Sequence, residues 1–193
     1  EGKRQAKGTA IVNLLQLGPN EKIATLLAID EKDDNKYLLL ATKNGIVKKT
    51  DREEFKNINK AGLIAIGLRE DDELIGVKVT DGNKDVLLVT KEGMSIRFDL
   101  DNERIRFDEN DIRPMGRSAM GVKGITLSND DKVVSMSLCE EGTDVLVVSE
   151  NGFGKRTDIN EYRTQIRAGK GIQIIYGTQA EIYKNKIIKK YKL

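Results

Sequence analysis

Short runs of Val, Leu and Ile alternate with clusters of Gly, Asn, Asp and Lys along the chain, and one alternation occurs three times. Tyr37-Leu-Leu-Leu-Ala-Thr-Lys-Asn-Gly45 leads into Ile-Val-Lys48-Lys49-Thr-Asp51. Asp85-Val-Leu-Leu-Val-Thr-Lys-Glu-Gly93 leads into Met-Ser-Ile-Arg97-Phe-Asp99, and Asp144-Val-Leu-Val-Val-Ser-Glu-Asn-Gly152 into Phe-Gly-Lys155-Arg156-Thr-Asp158. Apolar runs bounded by turn residues are strand signals. Lys43-Asn-Gly45 and Glu150-Asn-Gly152 are turn tripeptides whose glycine supplies the positive φ that hairpin loops use. Each copy therefore predicts a β-hairpin. The turn glycines Gly45, Gly93 and Gly152 are spaced by 48 and then 59 residues, so one supersecondary unit is being reused.

Three further elements accompany the hairpins. A Gly-containing loop enters an extended apolar segment at Lys7-Gly8, Lys60-Ala-Gly62, Arg117-Ser-Ala-Met-Gly121 and Arg167-Ala-Gly-Lys170-Gly171. Acidic turns at 70–73 and 129–132 precede apolar segments at 75–79 and 133–138, and Pro19-Asn-Glu-Lys22 is the same device in the first copy. We expect these carboxylates on a solvated rim. After the first and third hairpins, Asp51-x-x-Glu54 and Asp158-x-x-Glu161 have capping-box spacing, which predicts a brief helical turn. The middle copy keeps Asp99 but has Asn102 and Glu103 there, so its crossover should differ. Phe55 and Tyr162 are expected to fold back onto the neighbouring unit. The longer charged stretch 101–113 reads as a solvated loop. A full unit thus holds four short strands, which predicts an all-β array: a propeller-like wheel of about three to four blades, or alternatively a solenoid. The units run roughly 1–59, 60–116, 117–166 and 167–193, the last incomplete, with 176–193 an atypical basic tail.

Composition narrows the chemistry more than the fold. The 193 residues suffice to bury a core. Charged residues make up 33% of them but nearly cancel at +2, so any partner must be read from charge distribution. The chain has no histidine, which excludes Ser-His-Asp and Cys-His nucleophiles, imidazole acid-base catalysis and His metal sites. Single Cys139 cannot close an internal disulfide and is expected to be buried in a reducing compartment. Nothing approaches the length of a membrane span or a signal core, and the chain begins as an excised piece would. These features predict a soluble intracellular protein with no metal and no cofactor.

The cations carry the functional signal. Four residues past each turn glycine stands a cation, Lys49, Arg97 or Arg156, on the strand face that also holds Val47, Ser95 or Gly154. That pattern predicts an exposed positive strip on each unit. The Gly loops add Arg4, Lys7, Lys60, Arg117, Lys123, Arg167 and Lys170. Such a belt, with backbone N–H groups at glycines, suits duplex phosphates without regard to sequence. The alternative is a set of solvated strand positions on a protein-interaction propeller. An enzyme with its own site in the wheel is a third reading, opposed by the scattered carboxylates.

Gly8-Thr-Ala-Ile-Val-Asn-Leu-Leu-Gln-Leu17, Leu38-Leu-Leu-Ala-Thr-Lys-Asn-Gly-Ile-Val-Lys-Lys-Thr50 and Arg113-Pro-Met-Gly-Arg-Ser-Ala-Met-Gly-Val-Lys-Gly124 resemble the C-terminal domain of the bacterial DNA gyrase A subunit, over residues 1 to about 173. The resemblance implies a β-pinwheel over 1–175, whose blades exchange strands and whose basic rim bends double-stranded DNA. It implies DNA contacts at Lys48, Lys49, Arg97, Lys155 and Arg156, with the Gly-loop cations beside them. It also implies partners: the cleavage region of the A subunit and the ATP-binding B subunit, in the bacterial cytoplasm on the nucleoid. In that family the wrapped DNA supports negative supercoiling by an ATP-dependent topoisomerase, while the catalytic tyrosine lies elsewhere, so this chain should not cleave DNA. The family's Gln-Arg-Arg-Gly-Gly-Lys-Gly box has its nearest match at Gln165-Ile-Arg-Ala-Gly-Lys-Gly171, which differs at Ile166 and Ala168 and falls in the last repeat. The related topoisomerase IV subunit, where the wheel serves substrate recognition, is the alternative. The basic end, which departs from the blade pattern, could be an unstructured phosphate-binding arm.

Overall fold

Each apolar run that ends in a turn glycine forms the first strand of a hairpin. In the computed structural model, which describes residues 4–10, 13, 15, 17–18, 21–29, 36–58, 62–100, 112–149, 151–174 and 186–188, the strands are β1 (Tyr37–Thr42), β2 (Ile46–Asp51), β3 (Leu74–Thr80), β4 (Val86–Thr90), β5 (Met94–Phe98), β6 (Val122–Lys123), β7 (Val133–Leu138), β8 (Asp144–Val148), β9 (Gly154–Asp158), β10 (Ile172–Gln173) and β11 (Lys186–Ile188). The hairpins are β1–β2, β4–β5 and β8–β9, all antiparallel.

Their turns share one chemistry. The turn glycine N–H donates to the carbonyl three residues back, from Gly45 to Thr42, Gly93 to Thr90 and Gly152 to Ser149. The hydroxyl of that same Thr or Ser accepts from the N–H just past the glycine, at Ile46, Met94 and Phe153. The glycines stand at φ of 81°, 83° and 82°, where a side chain would be strained.

Three sheets result, and none is built from contiguous residues. Their strand orders are β3-β1-β2-β6, β10-β5-β4-β7 and β11-β8-β9. The first two hairpins recruit, on one side, the strand after the next acidic turn. On the other side, they recruit a two-residue strand from a Gly loop still further along. The expected four-strand unit is therefore spread over successive repeats. β11 takes the place on β8 that β3 and β7 hold on β1 and β4, so an unstructured basic arm is not what residues 186–188 form.

The second sheet is buried on both faces, which explains why β4 is apolar without alternation. Val86 and Leu88 face the first sheet, packing with Leu39, Ala41, Val47, Ile96 and Phe98. Leu87 and Val89 face the third, packing with Val145, Val147, Ile159 and Tyr162. Tyr162 folds back as expected, into the core between the second and third sheets. Ile112 is fully buried in the core between the first and second, contrary to a solvated loop through 113; residues 101–111 lie outside the described residues.

The acidic turns are also not simply solvated. Asp72 and Asp131 are buried, and each carboxylate accepts the backbone N–H of a hairpin turn, Asn44 at 2.9 Å and Glu92 at 3.0 Å. Each also accepts from the following N–H, of Glu73 or Lys132. The acidic turn fastens the hairpin tip to the strand paired beside it. Asp51 and Asp158 cap one-turn 3-10 segments, Arg52–Phe55 and Ile159–Glu161, by accepting from Glu53 and Asn160 N–H.

Candidate nucleic-acid interface

The cation four residues past each turn glycine has a structural duty wherever another repeat follows. On β5, Arg97 pairs with Leu87 in the register, which puts its guanidinium diagonally beside Asp85. Nε donates to Asp85 Oδ2 at 2.6 Å, and Nη1 donates to the carbonyls of Ile159 and Tyr162 at 2.9 and 3.1 Å. One side chain thus closes its own hairpin and holds the 3-10 turn of the next. Lys49 likewise stays on its own hairpin and reaches the end of the next, with different partners. Tyr37 occupies the place of Asp85, and Lys49 Nζ lies 5.2 Å from its ring centroid while donating to the Leu100 carbonyl at 3.3 Å. Arg156 keeps only the first half: Nε is 3.3 Å from Asp144 Oδ2, and its side chain is 67% exposed.

The exposed strip expected at Lys49, Arg97 and Arg156 is therefore corrected at its first two members, and so is the DNA contact implied at Lys48. Lys48 is 0% exposed and Lys49 is buried; the side chain of Arg97 is 13% exposed. Lys48 Nζ donates to the carbonyls of Ala65, at 2.8 Å, and Arg117. Burial pulls its ammonium below the usual lysine range; Glu54 opposes that shift and Arg117 adds to it. These cations recur because each fastens one repeat to another. Strand alternation predicts which residues share a face but not that both faces are covered.

The other candidates lie at the surface. Arg4, Lys7, Lys123, Lys155, Arg156 and Lys170 are exposed, and Arg117 and Arg167 are half-buried. Lys60 lies outside the described residues. The Gly loops present these cations in a repeated geometry. Tight turns close from Ala119 N–H to the Gly116 carbonyl and from Gly169 N–H to the Ile166 carbonyl, each with arginine, Arg117 or Arg167, just inside. Arg167 Nη1 donates to the Lys123 carbonyl, which joins the two loops. Arg117 Nε lies 3.8 Å from Glu54 Oε2, a surface ion pair that holds it loosely.

Two cations escaped sequence reasoning. Arg113 and Arg163 are both exposed, each four residues before its loop arginine. Each directly precedes a bridge to a hairpin, Pro114 with Lys49 and Thr164 with Arg97. The paired Arg-x-x-x-Arg spacing, 113/117 and 163/167, was the signal available for them. The outer edge loops of the first and second sheets thus carry Arg113, Arg117 and Lys123, then Arg163, Arg167 and Lys170. On the third sheet, β9 exposes Lys155 and Arg156.

Among the described residues, no group of three or more Cys, Asp or Glu side chains is arranged to hold a metal, and no helix is long and apolar enough to cross a membrane. Cys139 is buried, and burial pushes its thiol up to about 12.

Sheets that borrow strands from later repeats, joined by structural cations and edged by basic loops, make this a β-pinwheel. The family described as "DNA gyrase C-terminal domain, beta-propeller" matches at residues 36–81, 84–102, 105–140 and 143–184. The chain belongs to that family. It is 46% identical over 176 residues to the DNA gyrase A subunit of Staphylococcus epidermidis, covering 90% of this chain and 19% of that protein. The chain therefore spans about a fifth of the length of the gyrase A subunits it matches. Among solved structures it superposes on the C-terminal domain of DNA topoisomerase IV with a TM-score of 0.80, at 28% identity over 94% of this chain and 55% of that one. On the DNA gyrase A C-terminal domain the TM-score is 0.77, at 26% identity over 95% of this chain and 59% of that one.

Proposed function

We propose that this chain binds duplex DNA without sequence preference and wraps it along the basic edge loops, in support of negative supercoiling by a gyrase. The observation that carries the reading is that the edge loops of two successive sheets each expose two cations, Arg113 and Lys123 on the first and Arg163 and Lys170 on the second, with Arg113 and Arg163 at equivalent places. Cations that project from rigid sheet edges meet phosphates by position, not by base identity. The chain acts without a catalytic residue of its own: it holds DNA, and cleavage and ATP use belong to the A subunit's cleavage region and the B subunit. That role places it on nucleoid DNA in the bacterial cytoplasm.

A substrate-recognition role of the topoisomerase IV kind is the second reading, favoured by the superposition on that domain at TM-score 0.80. One experiment separates the two. Nicked plasmid is ligated with increasing amounts of the full chain, and the linking number is read on a gel. The wrapping proposal expects salt-sensitive binding and a progressive shift in linking number of one sign. Binding with no shift assigns the chain to recognition without wrapping. Absence of binding at low salt overturns both.

A further inference from the structure

We propose that Ile166 is a wedge that enters the minor groove and unstacks one base step where duplex DNA bends over the edge loop of the second sheet. The inference rests on the DNA-wrapping reading and adds to it the device that places a bend. Ile166 is 59% exposed and belongs to neither hydrophobic core. Cations surround it in the loop, with the exposed Arg163 and Lys170 on either side and Arg167 directly after it. Apolar side chains that kink DNA are set among cations in this way. The side chain partly replaces the stacking it disrupts, and the cations hold the backbone on either side of the kink.

The loop holds this side chain on a rigid support. Gln165 N–H donates to the Arg97 carbonyl at 2.7 Å, which ties the residue before Ile166 to β5. After it, Gly169 N–H closes a tight turn on the Ile166 carbonyl at 3.3 Å, and Ala168 N–H donates to the Gly124 carbonyl at 2.8 Å. Thr126 fixes the same turn from the neighbouring loop, its N–H donating to the Gly169 carbonyl at 2.9 Å and its hydroxyl to the Ala168 carbonyl at 2.6 Å. Arg167 reaches back to the Lys123 carbonyl. A side chain on a fixed backbone loses little freedom when DNA closes over it, so its contact is not offset by the cost of ordering a loop.

The corresponding place on the first sheet shows that the fold leaves this position open. Pro114 bridges Lys49 as Thr164 bridges Arg97. Ala119 N–H closes on the Gly116 carbonyl as Gly169 N–H does on that of Ile166, so Gly116 is the counterpart of Ile166. That loop has an edge loop on each side: Gly67 N–H donates to its Ala119 carbonyl, and Ala168 N–H to its Gly124 carbonyl. Even so, a Cβ on Gly116 would meet no described atom within 4 Å. A further loop packed against 163–171 in the same arrangement therefore leaves Ile166 open as well. Met120 is the other exposed large apolar side chain of these two loops, at 51%, but it lies in the seam, where a Cβ on Gly67 would stand 3.2 Å from its Cγ. An apolar side chain thus projects from one of two matching basic loops, which marks one bending point on the two sheets. Pyrimidine–purine steps yield most easily to such a wedge and occur in almost any sequence, so the bend is placed while binding stays general.

The test uses the full chain and a short duplex with TA as its only pyrimidine–purine step, 2-aminopurine replacing the adenine of that step. Unstacking makes 2-aminopurine brighter. The expected result is a rise in fluorescence on binding, kept by Ile166→Leu and lost by Ile166→Ala. The slope of log affinity against log salt should be the same in all three, because no cation is removed. Replacing TA by AA should weaken binding of the parent and leave that of Ile166→Ala unchanged. Ile166 is exposed, so both variants should share the parent's urea midpoint. Binding with no rise, or a rise that survives Ile166→Ala, overturns the wedge and leaves the DNA-wrapping reading standing. Failure of the parent to bind at low salt overturns that reading, and the wedge with it.

Discussion

The hairpins β4–β5 and β8–β9 have nearly the same sequence pattern and opposite surroundings. In the first, Arg97 is enclosed by Asp85 and two carbonyls of the next repeat, and its hairpin tip is pinned by Asp131. In the second, Arg156 keeps its carboxylate but is largely in solvent, and every residue of β9 but Thr157 is exposed. Equal spacing therefore marks an equal place in the fold, while the service a side chain performs depends on which neighbour covers it. A cation repeated in register is evidence for a repeated clamp before it is evidence for a ligand.

The comparison breaks most readily at the clamp itself. Arg97→Ala leaves the Asp85 carboxylate, 4% exposed, without its ion pair, and should destabilise the chain by about 3 kcal/mol. Arg156→Ala removes an exposed pair and should cost below about 1 kcal/mol. Urea midpoints at unchanged slope would show the difference; equal losses would mean that the two cations have one role. The tip contact is a smaller lever. Asp131→Ala orphans the Glu92 and Lys132 N–H groups and should cost about 1–2 kcal/mol, with hydrogen exchange at Glu92 accelerated first.

The smallest effect concerns Cys139, beside the same clamp. Burial raises its thiol most; Arg97 opposes that and Asp85 adds to it. The folded chain then holds this proton more tightly than the unfolded chain, whose thiol titrates near the ordinary 9.0. The thiol's contribution is complete below pH 9.0 and is lost as pH rises towards about 12. A Cys139→Ala variant should lose less stability than the parent between those values, which denaturation at stepped pH would read. Parallel curves would show that the thiol is not shielded.

Much of the fold was legible because local and long-range signals agree. The Thr/Ser-x-x-Gly turns are built from residues whose backbone and hydroxyl chemistry close a hairpin unaided. The pairing of sheets across repeats has no local signature, since β6 and β10 are two-residue strands that only a neighbour's edge defines. The candidate interface was legible in part for the same reason. Loop cations such as Lys123 and Lys170 are exposed because their loops cover hairpin edges from outside. Lys48 and Lys49 looked equally available until the sheets beside them were in place. Arg113 and Arg163 are hidden for the opposite reason: they stand outside the hairpin repeat, at a spacing that only the loop arginines reveal.

The most direct measurement is the salt dependence of duplex affinity for the chain and for one variant, Arg113→Ala/Lys123→Ala/Arg163→Ala/Lys170→Ala, on two unrelated sequences. All four positions are exposed, so the variant should keep the stability of the parent. The account predicts weaker binding, equal for both duplexes, and a slope of log affinity against log salt flattened by about 1 for each phosphate no longer neutralised. Unchanged affinity and slope in the folded variant would contradict it and place the DNA, if it binds, elsewhere on the molecule.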